Sequence, residues 1–78
     1  MAVDQQVLHN LTVTGFSDKS FDDAVKNAIQ GAWENHHEEF SRFVHFTASD
    51  FQGEIGADLQ LTYCVTVTIG AVHAKHAH

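Results

Sequence analysis

One thiol and seven imidazoles carry most of the chemistry that this 78-residue chain could perform. Cys64 is the sole cysteine and offers a soft thiolate donor. His45 offers a small ring and a ring-nitrogen lone pair. Both lie in stretches that read as strands, and the alternation of residues sends both to the same sheet face. Opposed on that face, they would be ligands for a transition metal such as iron or copper, or for a haem. Repeated across a two-fold axis, the pair becomes two His and two Cys, a tetrahedral set for zinc. Two facing His45 rings could instead grip a haem iron from both sides. A plainer reading has His45 bonded to a backbone group or water in an interface, and Cys64 acting as a small buried hydrophobe.

The remaining histidines are less specific. His73, His76 and His78 spell H-x-x-H-x-H in the closing segment AVHAKHAH, a spacing that can bind a metal ion. His36 and His37 fall at the end of an expected helix, where a protonated ring suits the negative end of the dipole. The acids Asp22, Asp23, Glu34, Glu38 and Glu39 read as a solvated helix face rather than a carboxylate pair in a cleft. No Ser/His/Asp arrangement, phosphate loop or cofactor fingerprint is present. The expectation is a binding protein, not an enzyme.

Composition narrows the partners. Ten acids against four Lys and Arg give a formal charge of −6, so neither a nucleic-acid footprint nor a polybasic membrane patch is encoded. The histidines make net charge sensitive to pH between about 5 and 7. No apolar run approaches the ~20 residues that span a bilayer. A single thiol and a first segment, residues 1–10, without a basic or apolar leader fit a cytoplasmic protein. One domain is expected over residues 1–78, with a core from about 7 to 72 and a His-rich tail over 73–78. So small a domain, with no disulfide, is poorly stabilised alone and favours a subunit partner.

The elements that would position these groups follow from periodicity. VLHNLTVT, residues 7–14, alternates as a first strand, and residues 15–19 form a turn. Ser20 suits a helix N-cap with Asp22 and Asp23 in the first turn. Phe21, Val25, Ala28, Ile29, Ala32 and Trp33 make one apolar face, continued by His36 and Phe40. The helix is expected to fray near residues 38–41. Gly31 sits mid-helix, where it could admit a close neighbour. Residues 42–52 read as a second strand with Val44, Phe46 and Ala48 on one face. Phe43, His45, Thr47, Ser49 and Phe51 take the other. Residues 53–58 make a hairpin turn with Gly53 and Gly56 supplying backbone freedom. LQLTYCVTVTIG, residues 59–70, is a strictly alternating third strand. The order β-α-β-β gives an α+β fold, a three-stranded antiparallel sheet around one helix. One helix covers one sheet face, and the other face must meet a subunit, a ligand or both.

The chain resembles the dodecins, small flavin-binding proteins of the same element order. The likeness is carried by VTGFSDKSF (13–21), NAI (27–29), EIGA (54–57) and TYCVTV (62–67), within about Leu11 to Val67. The resemblance implies a homododecamer that stores a small redox-active ligand, with no catalysis. In the family, flavins stack between tryptophans of two subunits, a last-strand glutamine bonds the flavin ring, and a middle-strand aspartate reaches the flavin side chain. Anchored on Ile55, Gly56, Ala57, Thr62 and Tyr63, the alignment sets His45 at the tryptophan position and Cys64 at the glutamine position. Asp50 keeps the aspartate. The expected ligand-binding residues are His45, Cys64, Asp50 and Phe43, with flavin as the cofactor that the family implies. Haem or a transition metal, or a structural oligomer without flavin, are the alternatives.

Overall fold

The computed structural model describes residues 8–74. In chain order it has β1 (Leu8–Ser17), α1 (Phe21–His36), β2 (Phe40–Ile55) and β3 (Leu61–His73). The strands form one antiparallel sheet in the order β1-β3-β2. This is the β-α-β-β arrangement that the sequence predicts, with differences that matter for the site.

The strict alternation of β3 decides which face is the core. Val65, Val67, Ile69 and Ala71 are fully buried beneath the helix. Against them the helix sets not large side chains but Ala24, Ala28 and Ala32. The small methyls let helix and sheet come close, and Gly15 in β1 takes this furthest: a methyl added there would run into the Ala24 carbonyl and the Ala28 side chain. Gly31, by contrast, has open space around it, so no close neighbour explains that glycine. Trp33 is also off the expected core face. It stands on the flank of the helix, 39% exposed, edge-on to Phe43 at 5.2 Å.

A polar joint fixes the helix to the end of β1. Ser20 caps the helix by accepting from the Asp23 amide at 3.0 Å. The buried Ser17 hydroxyl donates to the Asp23 carboxylate at 2.7 Å and accepts from the Lys19 amide at 2.9 Å. Asn27 Nδ2 donates to the Phe16 carbonyl at 2.9 Å. Within the motifs at 13–21 and 27–29, Ser17, Ser20 and Asn27 are therefore architectural: they orient α1 on the sheet.

Three boundaries differ from expectation. β1 continues to Ser17, which puts Phe16 in a strand instead of a turn. The helix stops at His36, with His37 as its C-cap, and β2 opens at Phe40. The hairpin turn lies over residues 56–60, closed by Gly56 N to Gln60 O at 2.7 Å and Leu59 N to Gly56 O at 2.9 Å. Gly53 is inside β2 and no glycine has positive φ; the left-handed position is taken by Leu59 at φ 67°.

The helix lies mainly over β1 and β3 and touches β2 least. The β2–β3 hairpin projects beyond it, and residues 49–62 are all exposed. The molecule is accordingly 61 Å long but only 22 by 13 Å across. Ile55 and Leu59, on this arm, are 71% and 78% exposed. Among the described residues, no helix is long and apolar enough to cross a membrane.

Candidate functional site

The sheet face turned away from α1 is built from the even-numbered residues of β3. Thr62, Cys64, Thr66, Thr68 and Gly70 lie there, because their odd-numbered neighbours are in the core. Pairing then assigns the residues beside them. Gly70 is opposite His45, Thr68 lies between Thr12 and Thr47, and Thr66 lies between Thr14 and Ser49. Cys64 lies between Phe16 and Gln52. The result is a ladder with an imidazole at one end, an aromatic–thiol–amide row at the other, and two rows of hydroxyls between. The Thr12 and Thr68 hydroxyls are 3.3 Å apart across it.

His45 is exposed and rests on Gly70. An added methyl at Gly70 would fall 2.6 Å from Nε2 and 2.9 Å from Nδ1, so the ring occupies space that any side chain at position 70 would take. The missing side chain of Gly70 is what lets the imidazole lie against the strand. At the far end, Phe16, Gln52, Glu54, Thr62 and Cys64 line a cleft of about 300 Å³. Phe16 is 58% exposed there and Cys64 is a half-buried free thiol.

His45 and Cys64 share this face, but they are not opposed. His45 pairs with Gly70 and Cys64 with Gln52, six residues apart along β3. At about 3.3 Å per residue the separation is roughly 20 Å. One ion needs its ligand atoms within about 2.0–2.3 Å of itself, so the two side chains of one subunit cannot share a metal. Hairpin geometry is the reason. A turn at 56–60 makes partners equidistant from it, and the earlier residue of β2 must meet the later one of β3. Among the described residues, no three His, Cys, Asp or Glu side chains converge on an ion site. His73 ends β3, whereas His76 and His78 lie outside the described residues.

Phe43 also departs from expectation, as does Phe51. Strict alternation places both beside His45, yet both face the helix side. β2 carries irregularities between Phe43 and His45 and between Ser49 and Gln52. Each adds a residue on β2 that β3 does not match, which resets the alternation. Val44 is the extra residue of the first bulge, so Phe43 turns inward to Trp33 while His45 stays outward. Asp50 forms the second, in the left-handed region at φ 54°; aspartate tolerates this better than most residues. Phe51 is thereby sent to the helix side, edge-on to Phe21 at 5.2 Å. Gln52 is delivered to the outer face beside Cys64. Asp50 thus has a local structural task, being the residue that re-aims Phe51 and Gln52.

Phe16 and Gln52 are the residues that sequence reasoning missed. Phe16 fell in a presumed turn, and Gln52 in a strand presumed to be regular. A usable signal existed for the second: the run Ser49-Asp50-Phe51-Gln52 puts an αL-tolerant aspartate before an aromatic in a strand otherwise rich in apolar residues.

On its helix side, the sheet leaves two apolar grooves between α1 and β2. One, of about 680 Å³, includes Ile29, Trp33, Arg42 and Phe43. The other, of about 640 Å³, includes Val25, Lys26, Ile29, Phe46 and Phe51. A family profile described as Dodecin matches residues 7–73. Comparison with curated proteins and with solved structures returns no match.

Proposed function

The chain belongs to the dodecin family, and from that membership we propose that it is a homododecameric binding and storage protein for a planar, redox-active small molecule held on the outer sheet face. Dodecins are small, non-enzymatic flavin-binding proteins that assemble as homododecamers. The observation that carries the reading is the uncovered face itself. It is an ordered platform with an exposed imidazole seated on Gly70, hydroxyl rows, and a cleft of about 300 Å³ lined by Phe16, Gln52 and Cys64. Aromatic rings offer stacking surfaces. The hydroxyls and the Gln52 amide offer donors and acceptors to the edge of a heteroaromatic ring. That mixture suits a molecule that is apolar on its faces and polar at its rim.

Two changes define the pocket in this reading; lying roughly 20 Å apart along β3 within one subunit, they meet one ligand only from two different copies across a symmetry axis. His45 stands where the family stacks tryptophan, giving a smaller ring. Cys64 stands at the glutamine position, and Gln52 on the adjacent strand supplies an amide beside it. Flavin is the ligand that this arrangement favours, held more weakly by the smaller ring. Assembly has its own support. The projecting arm presents Ile55 and Leu59, and Leu59 holds a backbone conformation that favours glycine or asparagine. A large exposed leucine at such a position is accounted for if a neighbouring copy covers it. The arm over residues 50–61 carries Asp50, Glu54 and Asp58 and no Lys or Arg, while the α1–β2 grooves carry both signs, Arg42 with Glu34 and Lys26 with Asp22.

The test is light scattering of the purified protein followed by riboflavin titration, read by quenching of flavin fluorescence. A mass near twelve subunits and saturable quenching are expected, with quenching weakened in His45→Ala, Phe16→Ala and Gln52→Ala. A stable monomer would remove the architecture. Binding that all three variants leave unaltered would remove the pocket.

A further inference from the structure

Apart from the outer face, the molecule holds a second group of imidazoles at the opposite side of the sheet. We propose that His9 and His73 form a two-imidazole site for a divalent transition-metal ion of the copper, nickel or zinc class. Their ring centroids are 3.9 Å apart, with planes inclined by 50°. The closeness follows from the register. His9 of β1 is opposite Ala71 of β3, so His73 is its diagonal neighbour on the same face. That face is the helix side, since Ala71 is buried in the core.

The pair is held firmly yet left open. The buried Phe40 pairs with His73 across β2 and β3 and meets its ring edge-on at 5.1 Å. Phe40 also underlies His9 at 6.3 Å. The Ala74 amide donates to the Glu39 carbonyl at 3.0 Å, which ties down the chain immediately after His73. Both rings are exposed, so an ion has access. The electrostatics favour a cation. Helix α1 ends at His36, shortly before Phe40, and the carbonyl end of a helix carries partial negative charge. The chain as a whole has a formal charge of −6. Neutral imidazole suits copper, nickel and zinc rather than calcium or magnesium. No third His, Cys, Asp or Glu among the described residues joins the pair, so water fills the remaining positions and the ion is exchangeable.

Copper(II) is the probe, because its electron paramagnetic resonance spectrum reports bound nitrogens. The full chain, stripped with a chelator, is titrated with copper(II) alone. A saturable site with at least two nitrogen ligands is expected. His9→Gln and His73→Gln should each weaken it by at least about tenfold, the advantage of a second ligand held at high effective concentration. A His76→Gln/His78→Gln double variant should retain it. In the unmodified protein, substoichiometric copper should broaden the His9 and His73 ring proton resonances first. Unchanged affinity in His9→Gln overturns the proposal. So does binding lost in the His76→Gln/His78→Gln variant, which would assign the ion to the C-terminal histidines.

Discussion

Gly70→Ala separates the imidazole platform from every other feature of the outer face. The added methyl would lie 2.6 Å from His45 Nε2 and 2.9 Å from Nδ1, below any tolerable non-bonded approach. Ring and methyl cannot share the space, so the ring must leave. It can do so cheaply, because His45 is exposed on an edge strand. Replacing glycine in a strand recovers about 0.5–1 kcal/mol of backbone entropy, which offsets the lost contact. Net stability should therefore change by less than about 1 kcal/mol. Ligand binding should respond differently. An aromatic pair is worth about 0.5–1.5 kcal/mol beyond its buried area, and about 1.4 kcal/mol corresponds to tenfold in affinity. Displacing the ring should weaken riboflavin roughly two- to tenfold, with a nearly unchanged thermal melt. The assay is flavin fluorescence quenching on wild type, Gly70→Ala, His45→Ala and the double variant. If the seat on Gly70 matters, the double variant binds no worse than His45→Ala, since both changes remove one interaction. Wild-type affinity in Gly70→Ala alongside weakened binding in His45→Ala would refute the reasoning: the ring would then act from a position other than the one it holds over the strand.

Two further predictions test the fold and the assembly. Gly31→Ala, with open space around the new methyl, should raise stability by about 1 kcal/mol, whereas Gly15→Ala should lower it by about 1–3 kcal/mol because the Ala24 backbone must retreat; thermal melts moving in the same direction would contradict the close helix–sheet contact. Leu59→Asn relieves a left-handed leucine, a conformation costing roughly 1–2 kcal/mol, so the isolated subunit should gain stability while the oligomer dissociates at higher concentration in light scattering. An assembly indifferent to that change would show that the arm docks on nothing.

The sequence carried the architecture well where its signals were periodic. The alternation over β3 puts Val65, Val67 and Ile69 in the core and Cys64, Thr66 and Thr68 outside it, but Leu59 and Leu61, assigned to the same apolar face, are exposed on the projecting arm, where no helix covers them. Ser20 is a cap for the reason its chemistry suggests. What could not be read was β2. A single inserted residue inverts every later side chain of a strand, and β2 has such shifts on both sides of its outward run from His45 to Ser49. Regular alternation therefore assigned His45, Thr47 and Ser49 correctly while misplacing Phe43 and Phe51. The separation of His45 from Cys64 was available in principle, because hairpin partners must be equidistant from the turn. A turn at 53–58 differs little from the observed 56–60, and a shared face does not imply a shared position. Faces repeat every second residue; position along the strand does not. Trp33 departs from its helical phase for a different reason: phase gives a direction, not the breadth of the surface opposite, and α1 overlies β1 and β3 more than β2.

That offset of the helix divides the exposed surface into two kinds with different chemistry. On the helix side, Phe46, Phe51 and Trp33 are exposed around grooves of about 680 and 640 Å³. A surface of large aromatics and aliphatics gains most from covering by another apolar protein surface. The outer face has no such expanse. Between Gly70 and Cys64 its rows are threonine and serine, and apolar bulk is kept to the two ends, Phe16 at one and Leu8 beside Val72 at the other. A subunit packed dry against those hydroxyls would have to satisfy or desolvate each of them. A small heteroaromatic molecule, or water, meets them without that cost. The β2 bulges at Val44 and Asp50 maintain the division, because each of these two moves a phenylalanine off the hydroxyl face and onto the side where apolar surface is already gathered. If β2 instead alternated regularly with all its residues kept, Phe43 and Phe51 would join His45 on the outer face and make it far more apolar.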